Sequence, residues 1–136
     1  MDINSLLKKE EIPEINTLSP LSLAFLGDSV YEMFIRTKIL SNGNRPTNEL
    51  HKIAVGYVKA KAQAGAAHKI FDMLTEEETT IYKRGRNTNI HTVPKNADMA
   101  DYRHATALET LIGYLYLKGD NERLLTLLNV AFDSLS

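Results

Sequence analysis

The sequence contains no cysteine among its 136 residues. Without cysteine there is no disulfide framework, no thiolate nucleophile and no zinc site built on sulfur. The four histidines show neither HxxxH nor HExxH spacing, so a zinc site is not expected. No N-terminal apolar run resembles a signal peptide, and no run of about 18 apolar residues could span a bilayer. We therefore expect a cytoplasmic protein without membrane contact.

Signals for β-strands are scarce as well. The chain has no sustained polar–apolar alternation and no Asn-Gly turn between β-branched runs. Helix signals are abundant, and the apolar share of 43% and charged share of 24% are ordinary for a globular protein. We therefore expect a single all-α domain, a helical bundle with no sheet, over residues 19–136. Residues 1–18 are expected to form an N-terminal arm or a short helix.

Start and stop signals divide the domain into five expected helices. Ser19 and the proline after it begin the first helix, and Thr75 with Glu78 forms a capping box for the third. Gly119 ends the fourth helix, and Asp120 caps the last. The helices are expected at about residues 20–40, 46–74, 76–85, 98–118 and 121–136, with the third fraying at Gly85.

The net charge of −1 hides an uneven distribution. Residues 45–69 carry a net charge of +4 and residues 79–104 of +3, which leaves −8 for the rest of the chain. Such segregation can give a basic face to a molecule that is nearly neutral overall. Chance clustering on solvated helix faces gives the same numbers, so charge alone does not assign a partner.

Acidic residues occupy apolar surroundings on two expected helices. In LAFLGDSVYE, Asp28 interrupts a run of apolar and small residues. At about 100° per residue, Asp28 and Glu32 fall within the apolar stripe of the first helix. That stripe consists of Leu21, Phe25, Ile35 and Ile39. On the fourth helix, Glu109 lies at the border of an apolar face.

A carboxylate in such surroundings is costly unless it is paired, hydrogen-bonded or bound to a metal. Asp28 and Glu109 therefore suggest a site for a divalent cation such as Mg²⁺, which prefers oxygen ligands. Such an ion can orient a water molecule and stabilise charge on a phosphate. Structural roles stay open at this point. Asp28 can cap a helix that restarts after Gly27, and Glu109 can pair with Arg103 or a lysine at the surface.

The same residues carry a resemblance to the ribonuclease III family. LAFLGD, residues 23–28, resembles the family's signature helix, Leu-Glu-Phe-Leu-Gly-Asp. ALETLIGYLYL, residues 107–117, resembles its second acidic motif, Glu-Ala-Leu-Ile-Gly followed by a short apolar run. The motifs come in the expected order, and the resemblance covers about residues 19–134. It implies an all-helical ribonuclease III-like domain with a catalytic Mg²⁺ site at Asp28 and Glu109.

The chain departs from the family pattern at three positions. The first motif usually has acids where this chain has Leu21 and Ala24, and the second usually has one where it has Thr106. A two-metal site, with ions about 3.5–4 Å apart, would therefore be short of protein ligands. The sequence also ends without room for the double-stranded-RNA-binding domain that usually follows. Together with the KRGRN and YRHATALE segments, this resembles Mini-ribonuclease III, the short bacterial branch.

For that branch the resemblance implies cleavage of double-stranded stems in precursors of large-subunit (23S) ribosomal RNA. It also implies a homodimer with one active site for each strand, in which Phe25 matches the family's aromatic residue that inserts into the partner subunit. The expected RNA contacts are Lys83, Arg84, Arg86 and Asn87, with Arg45, Lys59, Lys61, Arg103 and His104 as a second set. A ribosomal protein or a pre-ribosome is a further candidate partner.

Three functions are open from the sequence. The first is a Mg²⁺-dependent endoribonuclease that cleaves double-stranded RNA, supported by the retention of both Asp28 and Glu109. The second is a catalytically weak ribonuclease III-like module that binds a ribosomal RNA precursor, favoured by the missing acids. The third is a helical interaction protein with no role in nucleic-acid metabolism. The resemblance favours the first of these.

Overall fold

The computed structural model describes residues 8–89, 95 and 97–135. These residues form six α-helices and two short 3₁₀ helices, with no β-strand among them. The α-helices are α1 (Pro20–Ser41), α2 (Thr47–Val58), α3 (Ala60–Phe71), α4 (Glu76–Asn87), α5 (Met99–Lys118) and α6 (Asn121–Leu135). The 3₁₀ helices are Lys9–Glu11 and Ile15–Thr17. The all-α bundle expected from the sequence is confirmed.

Several helix ends follow the capping signals of the sequence. At the start of α1, Ser19 Oγ accepts a hydrogen bond from the backbone amide of Ser22 at 3.1 Å. In the capping box of α4, Thr75 Oγ1 accepts from the Glu78 amide at 3.1 Å, and Glu78 Oε1 accepts from the Thr75 amide at 2.9 Å. Gly119 ends α5 in the left-handed region, with φ of 83°. These side chains replace hydrogen bonds that a helix end leaves unmade.

The prediction of a single long second helix is wrong, because the structure has two helices there, α2 and α3. The chain breaks at Lys59, whose φ of −62° and ψ of 152° are extended. The Tyr31 hydroxyl donates a hydrogen bond to the Tyr57 carbonyl at 3.3 Å. Gln63 Nε2 donates to the Val58 carbonyl at 2.8 Å. Side chains therefore satisfy the carbonyl groups at the break, an arrangement that the helix-forming composition of the segment cannot reveal.

Helix α4 runs further than the sequence indicated. It continues through Gly85 to Asn87 instead of fraying at the glycine. Gly85 is buried, and a β-carbon there would lie 2.5 Å from Thr110 Oγ1 and 3.0 Å from the Cα of Ala107. The glycine therefore allows α4 to lie close against α5 and does not end the helix.

Helix α5 is the centre of the bundle. Within residues 105–115 every residue is buried except Glu109, which is partly exposed. Helices α1, α3, α4 and α6 all pack against α5. A helix segment that is buried nearly all round needs apolar residues on every side, so the one acid of this segment, Glu109, is unusual.

Helices α1 and α5 cross at two glycines. A β-carbon on Gly27 would lie 1.8 Å from the carbonyl oxygen of Glu109. A β-carbon on Gly113 would lie 2.0 Å from the carbonyl oxygen of Leu23. The two backbones are therefore in direct contact, with no room for a side chain between them. Because Asp28 follows Gly27 in the chain, this contact brings Asp28 close to Glu109.

The arm that precedes α1 contacts the bundle in its described part. Lys9 Nζ donates to the carbonyl of Tyr116 in α5 at 3.1 Å and lies 3.9 Å from the centre of its ring. Residues 1–7 and most of the loop before α5 lie outside the described residues, so the division of the chain at residue 19 stays a prediction. In the described part of the chain, none of the helices combines the length and hydrophobicity that crossing a bilayer requires.

Replacing Gly27 with alanine is expected to lower the free energy of unfolding by at least about 1–3 kcal/mol, because the added methyl group forces the two helices apart. Gly65→Ala is the matched control. A β-carbon on Gly65, in α3, has no atom within 4 Å, so this change should raise stability by about 0.5–1 kcal/mol. Chemical denaturation measures both variants. Equal stability of Gly27→Ala and the wild type would contradict the close crossing.

Candidate active site

The candidate site is an acid pair at the crossing of α1 and α5. Asp28 is exposed on α1, and Glu109 is half-buried on α5. The two carboxyl groups lie within hydrogen-bonding reach of each other and interact electrostatically. The structure therefore brings together the two acids that the sequence analysis selected, although they are far apart in the chain.

The pKa of Glu109 is raised from its ordinary value of 4.5 to about 9, chiefly because the carboxyl group is buried. The Asp28 carboxyl contributes to this rise through a hydrogen bond and through charge repulsion, and the Gln63 amide acts in the opposite direction. In the metal-free protein Glu109 therefore carries a proton at neutral pH. A buried acid that faces a second acid is typical of catalytic and metal-binding sites.

Two side chains beside Glu109 were missed by the sequence analysis. The Gln63 amide interacts with Glu109 while it donates to the Val58 carbonyl. The Tyr31 hydroxyl is also near, since burial raises its pKa to about 12 and the charge of Glu109 contributes to that rise. Both side chains bind the break between α2 and α3. The only sequence signal was a glutamine among the alanines of α3, and it has no meaning until the break is known.

The residues at this site suit a hard divalent cation. Carboxylate and amide oxygens are the ligands that Mg²⁺ prefers in proteins. Gln63 Oε1 is the one buried side-chain polar atom in the described part of the chain that has no hydrogen-bond partner. Among the same residues no cluster of three or more acids, histidines or cysteines could hold a metal. An ion held by Asp28 and Glu109 would therefore retain several waters, as Mg²⁺ commonly does.

The apolar stripe assigned to α1 from the sequence is only partly a core face. Ile35 and Ile39 are buried, but Leu21 is 42% exposed and Phe25 is 83% exposed. The core side of α1 also includes Leu23, Ala24, Gly27, Val30 and Tyr31. Asp28 therefore lies beside an outward apolar surface and not in the core, because a helical projection cannot distinguish the two.

Glu32, which falls in the same stripe, has a structural partner on its own helix. Its Oε1 accepts from Arg36 Nη2 at 2.8 Å, one turn along α1. Both side chains are largely exposed, so this ion pair contributes little to stability. Glu32 thus differs from Asp28, whose carboxyl group faces Glu109.

Some of the polar groups in the basic segment at the end of α4 already have hydrogen-bond partners within the protein. Lys83 and Arg84 are exposed. Arg86 Nε donates to Asn87 Oδ1 at 3.1 Å. Arg103, from α5, donates to the carbonyls of Arg86 and Thr88, each at 3.2 Å. Arg103 therefore caps the C-terminal end of α4 and holds this segment against α5.

His104 also interacts with neighbouring side chains, Tyr82 and His68. Its Nδ1 lies 2.6 Å from the Tyr82 hydroxyl, and its ring lies 4.4 Å from the ring of His68. Partial burial lowers the pKa of His104, and the neighbouring His68 lowers it further. His68 was not selected from the sequence, because the ring contact depends on how α3 and α5 pack.

The other expected RNA contacts lie near the two ends of α2. Arg45 Nη1 is 3.6 Å from Glu49 Oε1, in an exposed ion pair. Lys59 and Lys61 are exposed at the break between α2 and α3. The break also carries the carbonyl groups that Tyr31 and Gln63 bind, so these two lysines belong to the surroundings of the acid pair.

A family model now gives the chain a chemical class. The model of the Ribonuclease III domain matches residues 21–120, a range that contains both Asp28 and Glu109. The chain belongs to the ribonuclease III family. Membership of the ribonuclease III family supports ribonuclease activity, and hence hydrolysis of RNA.

Relatives within the ribonuclease III family cover nearly the whole chain. It is 50% identical over 131 residues to a Mini-ribonuclease 3 from Thermoanaerobacter sp. (strain X514), covering 96% of this chain and 90% of the relative. It is 43% identical over 117 residues to a Mini-ribonuclease 3 from Staphylococcus aureus, covering 85% of this chain and 87% of that one. The resemblance to Mini-ribonuclease III is therefore confirmed.

A solved structure supports the same fold. A crystal structure of a protein from Fusobacterium nucleatum matches with a TM-score of 0.81 at 36% sequence identity. The match covers 90% of this chain and 98% of the other. The helical bundle expected from the ribonuclease III resemblance is thus found in a solved structure of similar sequence.

The positions at which the ribonuclease III pattern usually has acids carry no carboxylate in this chain. Ala24 and Thr106 are 7% and 6% exposed. The Thr106 hydroxyl donates to the Tyr102 carbonyl of its own helix at 3.0 Å. Leu21 is on the outward apolar surface of α1. The acid pair is therefore the part of the ribonuclease III pattern that this chain retains.

Without metal, the contribution of Glu109 to stability is expected to fall as pH rises from about 4.5 to about 9. In that range the folded protein holds a proton on Glu109 that the unfolded chain has lost, so rising pH favours unfolding. Glu109→Gln removes this dependence. The melting temperature of the variant should exceed that of the wild type by an amount that grows from about pH 5 to about pH 8.

Thermal unfolding of both proteins in EDTA across this pH range is the measurement. Because the other titrating groups are common to both proteins, the difference between the two melting curves isolates Glu109. A difference that stays constant with pH would contradict the raised pKa.

Proposed function

We propose that this protein is a Mg²⁺-dependent endoribonuclease that cleaves double-stranded RNA. The observation that carries the proposal is the contact between Asp28 and Glu109 at the crossing of α1 and α5, within the region that matches the ribonuclease III domain. The paired acids and the neighbouring Gln63 amide supply oxygen ligands for such a cation.

Asp28 and Glu109 would hold the cation, and Glu109 has to give up its proton to do so. When bound, Mg²⁺ supplies Lewis acidity, which activates a water molecule and stabilises charge on the scissile phosphate. The exposed side of Asp28 leaves the pair open to a phosphate from solvent. The burial of Glu109 lowers the local dielectric and strengthens each charge interaction at the site.

The exposed basic side chains are proposed to hold the RNA backbone. A-form duplexes are recognised largely by shape and by contacts to phosphate and ribose. Lys83, Arg84, Lys59 and Lys61 are exposed and have no ion-pair partner among the described residues. Arg45, Arg86, Asn87, Arg103 and His104 have intramolecular partners and form a second set. The number of phosphate contacts can be measured from a log–log plot of duplex affinity against salt concentration. Each contact contributes about 0.7–0.9 to the magnitude of the slope.

The outward surface of α1 is proposed as the seam of a homodimer. Leu21, Phe25, Met33 and Leu40 are 42%, 83%, 55% and 56% exposed on this one helix. Large apolar side chains grouped on one surface commonly mark a site of protein association. Asp28 lies on the same helix, so a twofold axis along this surface would place two acid pairs near each other, one for each RNA strand.

The proposed substrate is a double-stranded stem in a precursor of 23S ribosomal RNA. The similarity to proteins called Mini-ribonuclease 3 over most of the chain supports this choice. A ribosomal protein or a pre-ribosome is a proposed partner that presents the stem. Cleavage of precursor RNA in the presence and absence of ribosomal proteins tests this part of the proposal.

A second candidate is a catalytically weak ribonuclease III-like module that binds the same RNA. It is favoured by the absence, among the described residues, of a metal-binding cluster larger than the acid pair. Binding that depends on salt, with no Mg²⁺-dependent cleavage of a duplex by the wild type, would support this candidate over the enzyme.

Replacing either acid of the pair is expected to abolish most cleavage while RNA binding persists. Asp28→Asn and Glu109→Gln keep size and shape but remove the charge that the cation needs. Each should lower the cleavage rate of a labelled duplex at least about a hundredfold. Duplex affinity should stay the same or rise, because phosphate contacts come from other residues and negative charge has left the site.

Glu32→Gln is the matched control for this experiment. It removes a carboxylate one turn from Asp28, where the partner is Arg36 and not Glu109. Its cleavage rate should stay near that of the wild type. Wild-type rates in folded Asp28→Asn or Glu109→Gln would show that the acid pair is not the active site.

Phe25→Ser is expected to weaken the dimer without unfolding the subunit, because the side chain is 83% exposed in the single chain. Analytical ultracentrifugation should give a mass of two chains for the wild type and one for the variant at micromolar concentration. Leu125→Ser, on α6 and 51% exposed, is the control that should remain dimeric. A wild type that sediments as one chain, with or without RNA, would contradict the paired sites.

A further inference from the structure

Gln63 is a buried polar residue with an unusual hydrogen-bond pattern. It is only 4% exposed and lies among the buried alanines of α3. Its Nε2 donates to the Val58 carbonyl at 2.8 Å. Its Oε1 is buried, and no described residue gives it a hydrogen bond. The amide nitrogen therefore binds the helix break, and the amide oxygen has no hydrogen-bond partner among the described residues.

Anchoring the break between α2 and α3 does not by itself require a glutamine. Tyr31 serves the preceding carbonyl, that of Tyr57, through a hydroxyl group at 3.3 Å. In a hydroxyl, donor and acceptor are the same atom, whereas an amide adds a separate oxygen that is costly to bury without a partner. The amide of Gln63 therefore points to a partner beyond the helix break.

That partner lies at the acid pair. The Val58 carbonyl can only accept a hydrogen bond, so it fixes the nitrogen of the amide against the break. The same amide interacts with the Glu109 carboxyl. Since nitrogen and oxygen share one carbon, the unpartnered Oε1 also lies close to this site.

We propose that Gln63 is a positioning residue of the cation site. Its amide group, fixed on the Val58 carbonyl, holds the Glu109 carboxylate by a hydrogen bond, and its Oε1 accepts a hydrogen bond from a water that the bound cation retains. This inference rests on the proposed Mg²⁺-dependent function. It assigns to the break at Lys59 a role in the site, because the break exposes the carbonyl that orients the amide.

Groups that orient a metal ligand commonly change metal affinity by about 10–100-fold when they are removed. Gln63→Met keeps the length of the side chain but removes the amide. We expect the midpoint of Mg²⁺ binding to the folded protein, measured by isothermal titration calorimetry, to increase by about 10–100-fold in this variant. Duplex cleavage should require a correspondingly higher Mg²⁺ concentration and recover when Mg²⁺ is raised.

Ile70→Val is the matched control, since Ile70 is a buried residue of the same helix with no polar group. It should lower the melting temperature at every Mg²⁺ concentration and leave the Mg²⁺ midpoint unchanged. If Gln63→Met behaves in the same way, its amide is only structural and the inference is wrong. Gln63→Glu is a second variant, in case Gln63→Met does not fold. A third carboxylate should enlarge the Mg²⁺-induced rise in melting temperature, and an unchanged rise would also overturn the inference.

The wild type separates this inference from the proposed function. If neither its melting temperature nor its cleavage responds to Mg²⁺, the cation site itself is absent and the proposed function fails. If the wild type responds to Mg²⁺ and Gln63→Met has the same midpoint, the function stands and only the role of Gln63 is lost.

Discussion

The backbone contact between α1 and α5 is the constraint on which the rest of the structure depends. Gly27 and Gly113 allow the two helices to touch without side chains between them. The contact fixes the position of Glu109, whose carbonyl oxygen lies against Gly27, and therefore the distance between the two acids. A separation larger by one methyl group would change both the packing of the central helix and the geometry of the acid pair.

The capping signals and the central motifs of the fold could be predicted from the sequence, because they depend on residues close together in the chain. Ser19, the Thr75–Glu78 box and Gly119 act through the backbone within one turn of their own helices. The Asp28–Glu109 pair was also selected, since each acid stands out in an apolar motif. These features are local, and tertiary packing did not override them.

The features that could not be predicted depend on contacts between distant segments. The break at Lys59 is stabilised by Tyr31, which is 26 residues away from the carbonyl it binds. The helix end predicted at Gly85 is absent, and the close contact of this glycine with α5 is visible only in three dimensions. Phe25 was placed in a stripe that is buried at one end and exposed at the other, which a projection of one helix cannot show.

Because Glu109 is buried in the central helix, a proton and the proposed metal ion would compete for its carboxyl group. Without a cation, a proton neutralises the carboxyl group and the core tolerates it at neutral pH. A metal that enters must expel this proton, so the occupancy of the site falls when the surrounding solution becomes more acidic. Under the proposed function, the rate of hydrolysis would therefore depend jointly on the free metal concentration and on the pH.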